Sequence, residues 1–241
     1  MEPQASRVEM IGAAHRRSGG TSKAGGVDYA QKGRELLERV NLKLDGAPTR
    51  YSDSNPIYRS PETGATLFVG NASCATSAAK LAEINVKRIV FCQARGEGTM
   101  AFRSDPSFRY LEYPIGHWRS TLSMSPKPAQ TQAYFEPLFR FVEEELAAGN
   151  NVLIHCLAGA HRAGTAGVAC LMHLCDLETS EAIAIAQTAR PAIDPIGDFP
   201  KLLAALDHAR CLGKKAGRAA AAAAAGGLDG SAADPTESVR R

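Results

Sequence analysis

One segment of the chain, residues 151–174, limits the possible folds more than any other. It begins with the apolar run NVLIH, continues through a loop of small residues, and ends in a helical pattern over residues 166–174. A short apolar run bounded by Gly149 and Asn150 is typical of a buried strand. A strand that leads through a short loop into a helix is the first half of a βαβ unit. The segment therefore predicts a fold of the α/β class.

The same alternation of strands and helices precedes this segment. Apolar runs predict strands at residues 66–69, 87–92 and 110–115, and helical spacing predicts helices at 77–84 and 130–148. Alternating elements of this kind favour parallel strands joined by helical crossovers. We therefore expect a central, mostly parallel sheet flanked by helices.

The two ends of the chain have a different composition. Residues 1–60 hold few large apolar side chains, so we expect a largely disordered extension that allows one short helix at residues 28–43. Residues 213–241 include a run of seven alanines but little to bury, and we expect a disordered alanine-rich tail. The sequence thus predicts one folded domain at residues 61–212.

Charge and hydropathy exclude several function classes. The net charge is +3, but residues 61–212 carry thirteen basic and fifteen acidic side chains, so a nucleic-acid partner is not expected. No apolar run approaches the roughly 18 residues of a membrane helix, and the N-terminus lacks the apolar region of a secretory signal. The six cysteines form no CxxC pair, which argues against a zinc ribbon. We therefore expect no membrane partner, and a cytoplasmic or nuclear protein.

The loop after the 151–155 strand combines a nucleophile with an anion site. Cys156 lies at the carboxyl end of that strand, and the loop that follows leads into the N-terminus of a helix. Backbone amides and a helix dipole directed at one point bind a dianion and favour a thiolate over a thiol. Arg162, six positions after Cys156, carries a guanidinium fork that can hold two phosphate oxygens.

The run HCLAGAHRAGT, residues 155–165, resembles the HCxxGxxR loop of the protein tyrosine phosphatase superfamily. Residues 67–71 (LFVGN), 89–90 (IV) and 190–199 (RP…F) are similar to segments of its dual-specificity branch. This resemblance implies a cysteine-phosphatase fold over residues 61–212. It also implies a phosphorylated protein as substrate, no metal or other cofactor, and a monomer.

The resemblance assigns roles to individual residues. It implies that Cys156 attacks phosphorus to form a cysteinyl-phosphate, and that Arg162 stabilises the equatorial oxygens. His155 is similar to the family histidine that orders the loop. The expected substrate-binding residues are Leu157, Ala158, Gly159, Ala160, His161 and Arg162.

Two positions depart from the family pattern. Where the branch supplies an aspartic acid that protonates the leaving oxygen, this chain has His117, and no Asp lies between Asp105 and Cys156. A histidine is partly protonated near neutral pH and can act as the acid. Glu112 is a second candidate, and a third alternative is that His117 is an ordinary loop residue and the acid is missing.

The second departure is Ala163, where most relatives carry a hydroxyl directly after the arginine. That hydroxyl helps the thiolate to leave in the second step, so its absence predicts slow turnover and an accumulating phosphoenzyme. An aryl leaving group with a pKa of about 10 tolerates a missing acid better than a serine alkoxide does.

The resulting hypothesis is a protein phosphatase that hydrolyses phosphotyrosine, and in addition phosphoserine and phosphothreonine. The competing hypothesis is a catalytically impaired pseudophosphatase that binds phosphate as an adaptor. It is favoured by the missing Asp and by Ala163, and opposed by the presence of both Cys156 and Arg162. A lipid or RNA 5′-phosphatase is disfavoured because residues 157–161 contain no lysine.

Overall fold

A five-stranded sheet forms the centre of the fold. The structure, a computed structural model, describes residues 29–44, 46, 48–50, 52–94 and 96–226. The strands are β1 (Ser54–Arg59), β2 (Thr66–Gly70), β3 (Val86–Phe91), β4 (Arg109–Glu112) and β5 (Asn151–His155). Their order across the sheet is β1-β2-β5-β3-β4, with β1 antiparallel to β2 and every other neighbouring pair parallel. The expected α/β class and mostly parallel sheet are confirmed.

Helices cover both faces of this sheet. They are α1 (Tyr29–Glu38), α2 (Ala72–Ala75), α3 (Ala78–Glu83), a 3₁₀ segment (Ile115–Ser120), α4 (Pro128–Ala147), α5 (Arg162–Leu174), α6 (Thr179–Ala189) and α7 (Phe199–Gly226). None of these helices, within the described residues, is long and apolar enough to cross a membrane.

The central strand β5 is buried on both faces, as its continuous apolar sequence predicts. Val152 and Ile154 face the larger core, to which α4, α5, α6 and α7 contribute. Leu153 points to the opposite face, into a smaller core with Leu81 and Ile89. Because β5 lies between β2 and β3, its carboxyl end lies in the middle of the edge formed by the strand ends.

The N-terminal boundary of the folded unit lies earlier than the sequence analysis placed it. Residues 54–59, assigned there to the extension, form β1, and Ile57 is fully buried. The strand is hard to predict from the sequence because Asn55 and Pro56 are residue types that are rare inside strands. Pro56 is tolerated because β1 is an edge strand. The short helix is present as α1 and ends at Glu38.

The C-terminal boundary also differs. Helix α7 continues past residue 212 to Gly226, through the alanine run that was expected to be disordered. Alanine has the highest helix propensity, and a helix that is already nucleated extends at little cost. The expectations for residues 1–28 and 227–241 lie outside the described residues.

Candidate active site

The candidate nucleophile lies at the carboxyl end of the central strand. Cys156 follows β5 directly and is only 3% exposed. Its Sγ accepts a hydrogen bond of 3.3 Å from the backbone amide of Gly159. Gly159 has a φ of 67°, and a methyl group there would lie 2.4 Å from the carbonyl oxygen of Gly70, so the position requires glycine. The loop therefore curls tightly over the sulfur.

The loop backbone is fixed from behind. Four consecutive carbonyl groups, those of residues 157–160, point away from the loop centre into the protein. Their donors are Ala72 N to Leu157 O (3.0 Å), Arg190 Nη2 to Ala158 O (3.4 Å), Arg190 Nε to Gly159 O (3.0 Å) and Asp194 N to Ala160 O (3.2 Å). Since an amide points opposite to the preceding carbonyl, this arrangement turns the loop amides toward the side where an anion would bind.

Arg190 is the main support of this loop. Its side chain is among the largest fully buried ones, and besides the two loop carbonyls it binds Ser52 O (2.9 Å) and Asn55 Oδ1 (2.7 Å). Within the described part of the chain, all its acceptors are uncharged oxygens. Burial lowers the pKa of the guanidinium, and the nearby Cys156 and Asp53 partly offset this. A buried positive charge thus lies beneath the candidate nucleophile.

A second arginine stands at the front of the loop. Arg162 is the first residue of α5 and is partly exposed. Its Nη1 donates to Oε2 of Glu97, and Oε1 of the same carboxylate lies 3.7 Å from Nε2 of His117. The pKa of Glu97 is lowered, first by a hydrogen bond from the Ala94 amide and also by Arg162 and His117. One ionised carboxylate therefore joins Arg162 to His117.

The structure brings His117 close to the loop but not Glu112, the second candidate acid. His117 lies on the 3₁₀ segment, whose Gly116 is so close to Arg162 that a methyl group there would lie 3.2 Å from the arginine Cδ. Glu112, at the end of β4, pairs with Arg103 (2.5 Å). Asp105 accepts a hydrogen bond from the Ser107 amide. Of the acids considered, His117 alone contacts the Arg162–Glu97 pair.

The remaining expected binding residues differ in exposure. Leu157 and Ala158 are exposed, Gly159 is buried, and Ala160 is partly buried. His161 is held by a contact of 2.6 Å between its Nδ1 and the carbonyl oxygen of Asp194. These residues line the loop mainly through their backbone, as an amide-built anion site requires.

A protein-family model and known proteins match this chain. A model of the dual specificity phosphatase catalytic domain matches residues 67–208, more than half of the chain. The chain belongs to the dual specificity phosphatase family. Human dual specificity protein phosphatase 6 is 31% identical over 170 residues, which cover 70% of this chain and 40% of that protein. Dual specificity protein phosphatase Mpk3 of Drosophila melanogaster is 29% identical over 138 residues, which cover 57% and 31%.

Solved structures give the same fold. A crystal structure of a variant of human DUSP28 matches with a TM-score of 0.51 and 24% identity, covering 67% of this chain and 98% of that one. The chain thus has the fold of a dual specificity phosphatase, while it spans well under half the length of the curated relatives named above.

Two residues of the candidate site were not identified as such from the sequence. Arg190 was noted only as part of the RP motif, although a lone arginine in the apolar run AIAIAQTARP indicates a buried charge with a specific partner. Glu97 lies in the loop ARGEG, which shows no periodicity, and its contacts with Arg162 and His117 are long-range.

His155 is buried (1% exposed) behind the nucleophile, with its ring 5.4 Å from that of Phe91 in an edge-on arrangement. Burial lowers its pKa from 6.5 to about 4. Between these values the unfolded chain binds a proton at His155 that the folded chain does not. Stability is therefore lost as the pH falls from about 6.5 to about 4.

We expect this histidine to reduce the free energy of unfolding by about 3 kcal/mol between pH 7 and pH 4. In His155→Gln this pH-dependent loss should be smaller by that amount, as measured by urea unfolding at a series of pH values. The exposed His208→Gln should retain the dependence of the unsubstituted protein. An unchanged pH dependence in His155→Gln would show that the histidine takes up its proton over the same pH range in the folded and the unfolded chain.

Proposed function

We propose that this chain is a protein phosphatase that hydrolyses phosphotyrosine in preference to phosphoserine and phosphothreonine, through a cysteinyl-phosphate. The observation that carries the proposal is the loop at residues 156–162. Its carbonyl groups accept hydrogen bonds from the protein interior, so its amides face the side where an anion would bind, and the Cys156 sulfur lies at its base. Such a loop can hold a phosphate dianion directly above a nucleophile.

In the first step the Cys156 thiolate attacks phosphorus. The S–P bond forms, the bond from phosphorus to the substrate oxygen breaks, and His117 donates the proton that this oxygen takes up. Arg162 and the loop amides bind the three equatorial oxygens, whose negative charge they stabilise in the transition state.

In the second step a water molecule attacks the phosphorus of the cysteinyl-phosphate. The S–P bond breaks, the sulfur leaves as a thiolate, and the proton of the water returns to His117. Inorganic phosphate is released, and the enzyme regains its starting protonation state.

The second step lacks a hydroxyl to assist the leaving thiolate. Ala163 is fully buried, and the hydroxyl of Thr165 is used in a 2.7 Å hydrogen bond to the carbonyl of His161. Because nothing at these two positions can donate to the leaving sulfur, the phosphoenzyme should accumulate.

Rapid mixing with an excess of 4-nitrophenyl phosphate tests this function. We expect a burst of nitrophenol of about one equivalent per enzyme, followed by slow turnover, with phosphate recovered on the peptide that contains Cys156. Phosphate binding without a burst, turnover or phosphoenzyme would instead support the pseudophosphatase adaptor. An active enzyme without a burst would contradict the role given to Ala163.

The role of His117 predicts a dependence on the leaving group. In His117→Ala, kcat/KM for a phosphoserine peptide should fall by about 100-fold. For an aryl phosphate with an acidic phenol it should fall less than about threefold, because such a leaving group departs without a proton. His161→Ala, which changes another histidine of the site, is the matched control and should not show this selectivity. Equal losses for both substrates in His117→Ala would assign His117 a structural role instead.

A further inference from the structure

Among the described residues, exposed large hydrophobic side chains occur on the loop of this site and on segments next to it in the fold or in the chain. Within the described residues four large hydrophobic side chains are exposed, namely Met124 (48%), Leu157 (65%), Ile196 (48%) and Leu212 (40%). Leu157 belongs to the loop itself, Met124 to the segment after the 3₁₀ turn, and Ile196 to the segment before α7. Exposed apolar side chains that cluster beside a site mark a binding surface, whereas scattered ones do not.

Direct contacts join the loop, the segment before α7 and the 3₁₀ turn that precedes Met124 in the chain. The segment before α7 is bound to the loop through the Asp194 amide and carbonyl, which contact Ala160 and His161 at 3.2 and 2.6 Å. The same segment is joined to the 3₁₀ turn by an ion pair between Asp198 and Arg119. These contacts hold the loop and the segment before α7, which carry Leu157 and Ile196.

The charge beside the loop is unfavourable for an acidic ligand. The Glu97 carboxylate lies against Arg162 and is ionised at neutral pH, because its pKa is lowered. Arg119, on the 3₁₀ turn, is already paired with Asp198. A carboxylate beside the phosphate of a substrate would meet Glu97, and among the described residues Arg162 and Arg119 already pair with carboxylates.

We propose that this site selects phosphotyrosine with apolar neighbouring residues and rejects phosphotyrosine with acidic neighbours. Leu157, Ile196 and Met124, the apolar rim, contact the residues that flank the phosphotyrosine, and Glu97 supplies the discriminating charge. This specificity rests on the proposed function, since it assumes that the phosphate enters the loop. A peptide is favoured over a lipid headgroup because the loop residues 157–161 hold no lysine.

The proposal is tested with two phosphotyrosine peptides that differ only in their four flanking residues. These residues are leucine and valine in the apolar peptide, and glutamate and aspartate in the acidic peptide. Their dissociation constants are measured by fluorescence anisotropy with Cys156→Ser, which cannot turn them over, and kcat/KM is measured with the unsubstituted enzyme. We expect the apolar peptide to bind at least about tenfold more tightly.

Variants identify the origin of the preference, each made in the Cys156→Ser background. The double change Met124→Ser and Ile196→Ser should weaken binding of the apolar peptide by about tenfold without changing the affinity for inorganic phosphate. Leu212→Ser, which removes the exposed leucine of α7, should leave both peptides unaffected. Glu97→Gln should improve binding of the acidic peptide, whereas Glu136→Gln, on the exposed face of α4, should not.

Equal binding of the two peptides, or a preference that survives the double change, would overturn the proposal. Tighter binding to vesicles that contain phosphoinositides than to either peptide would also overturn it. If both peptides bind with the expected preference but neither is hydrolysed, the phosphatase function fails and the specificity stands. If the enzyme hydrolyses both peptides equally well, the function stands and the specificity fails.

Discussion

Replacing Cys156 by serine should reduce kcat for an aryl phosphate by a factor of about 10⁵ while inorganic phosphate still binds within about threefold of its usual affinity. Turnover and phosphate affinity respond differently because they depend on different atoms. The sulfur provides the attacking electron pair, and a serine hydroxyl is a much weaker nucleophile than sulfur. The phosphate is held by the loop amides and Arg162, whose supports do not involve the sulfur.

The matched control for this change is Cys211→Ser, which removes the exposed cysteine of α7. It should retain full turnover, and so exclude a general effect of losing a thiol. Turnover by Cys156→Ser within tenfold of the unsubstituted enzyme would contradict the assignment of Cys156 as nucleophile. Loss of phosphate binding together with turnover would show instead that the serine disturbs the loop.

Replacing Arg190 by methionine should be the most damaging change among residues that do not touch the substrate. It leaves four oxygens, two of them loop carbonyls, without this donor, and two of the four lost hydrogen bonds are buried. We expect the free energy of unfolding to fall by about 3–5 kcal/mol. At temperatures where the variant remains folded, affinity for inorganic phosphate should fall about 100-fold, because the loop carbonyls are free to rotate and the amides lose their common direction.

Arg210→Met is the control that distinguishes loop support from general stability. Arg210 is also mostly buried and also binds a backbone carbonyl, that of Leu177 at 2.7 Å, but it lies on α7 away from the loop. It should lower stability and leave phosphate binding unchanged. If both variants lose phosphate affinity in proportion to their loss of stability, Arg190 has no specific role in shaping the loop.

The sequence predicted the parts of this fold that follow from local pattern. The sequence located three elements within a few residues: strand β3, helix α4 and strand β5. Their apolar runs and helical spacing are visible in the order of neighbouring side chains. Helix α6 was not located, since EAIAIAQTA alternates with a period of two like a strand, and its helical period appears only in the burial of Ala182, Ile185, Ala186 and Ala189.

The candidate site was predictable to the same extent. Cys156 and Arg162 lie on one continuous loop, so their spacing alone indicates that they face each other. The partners of Arg162 and the support of the loop come from elsewhere: Glu97 is 65 positions away from Arg162, and Arg190 meets Asn55 across 135 positions. Such pairs are fixed by the packing of the whole sheet, which local pattern does not encode.

The loop is fastened to three distant stretches of chain, at Ala72, at Arg190 and at Asp194. Its shape therefore depends on the docking of residues 190–194, from the C-terminal third of the domain, against the loop and strand β1. If the segment around residues 190–199 detaches first, phosphate binding should be lost at a lower urea concentration than the structure of strands β2, β5 and β3. A ligand that binds the loop would then also fasten the C-terminal helix to the sheet.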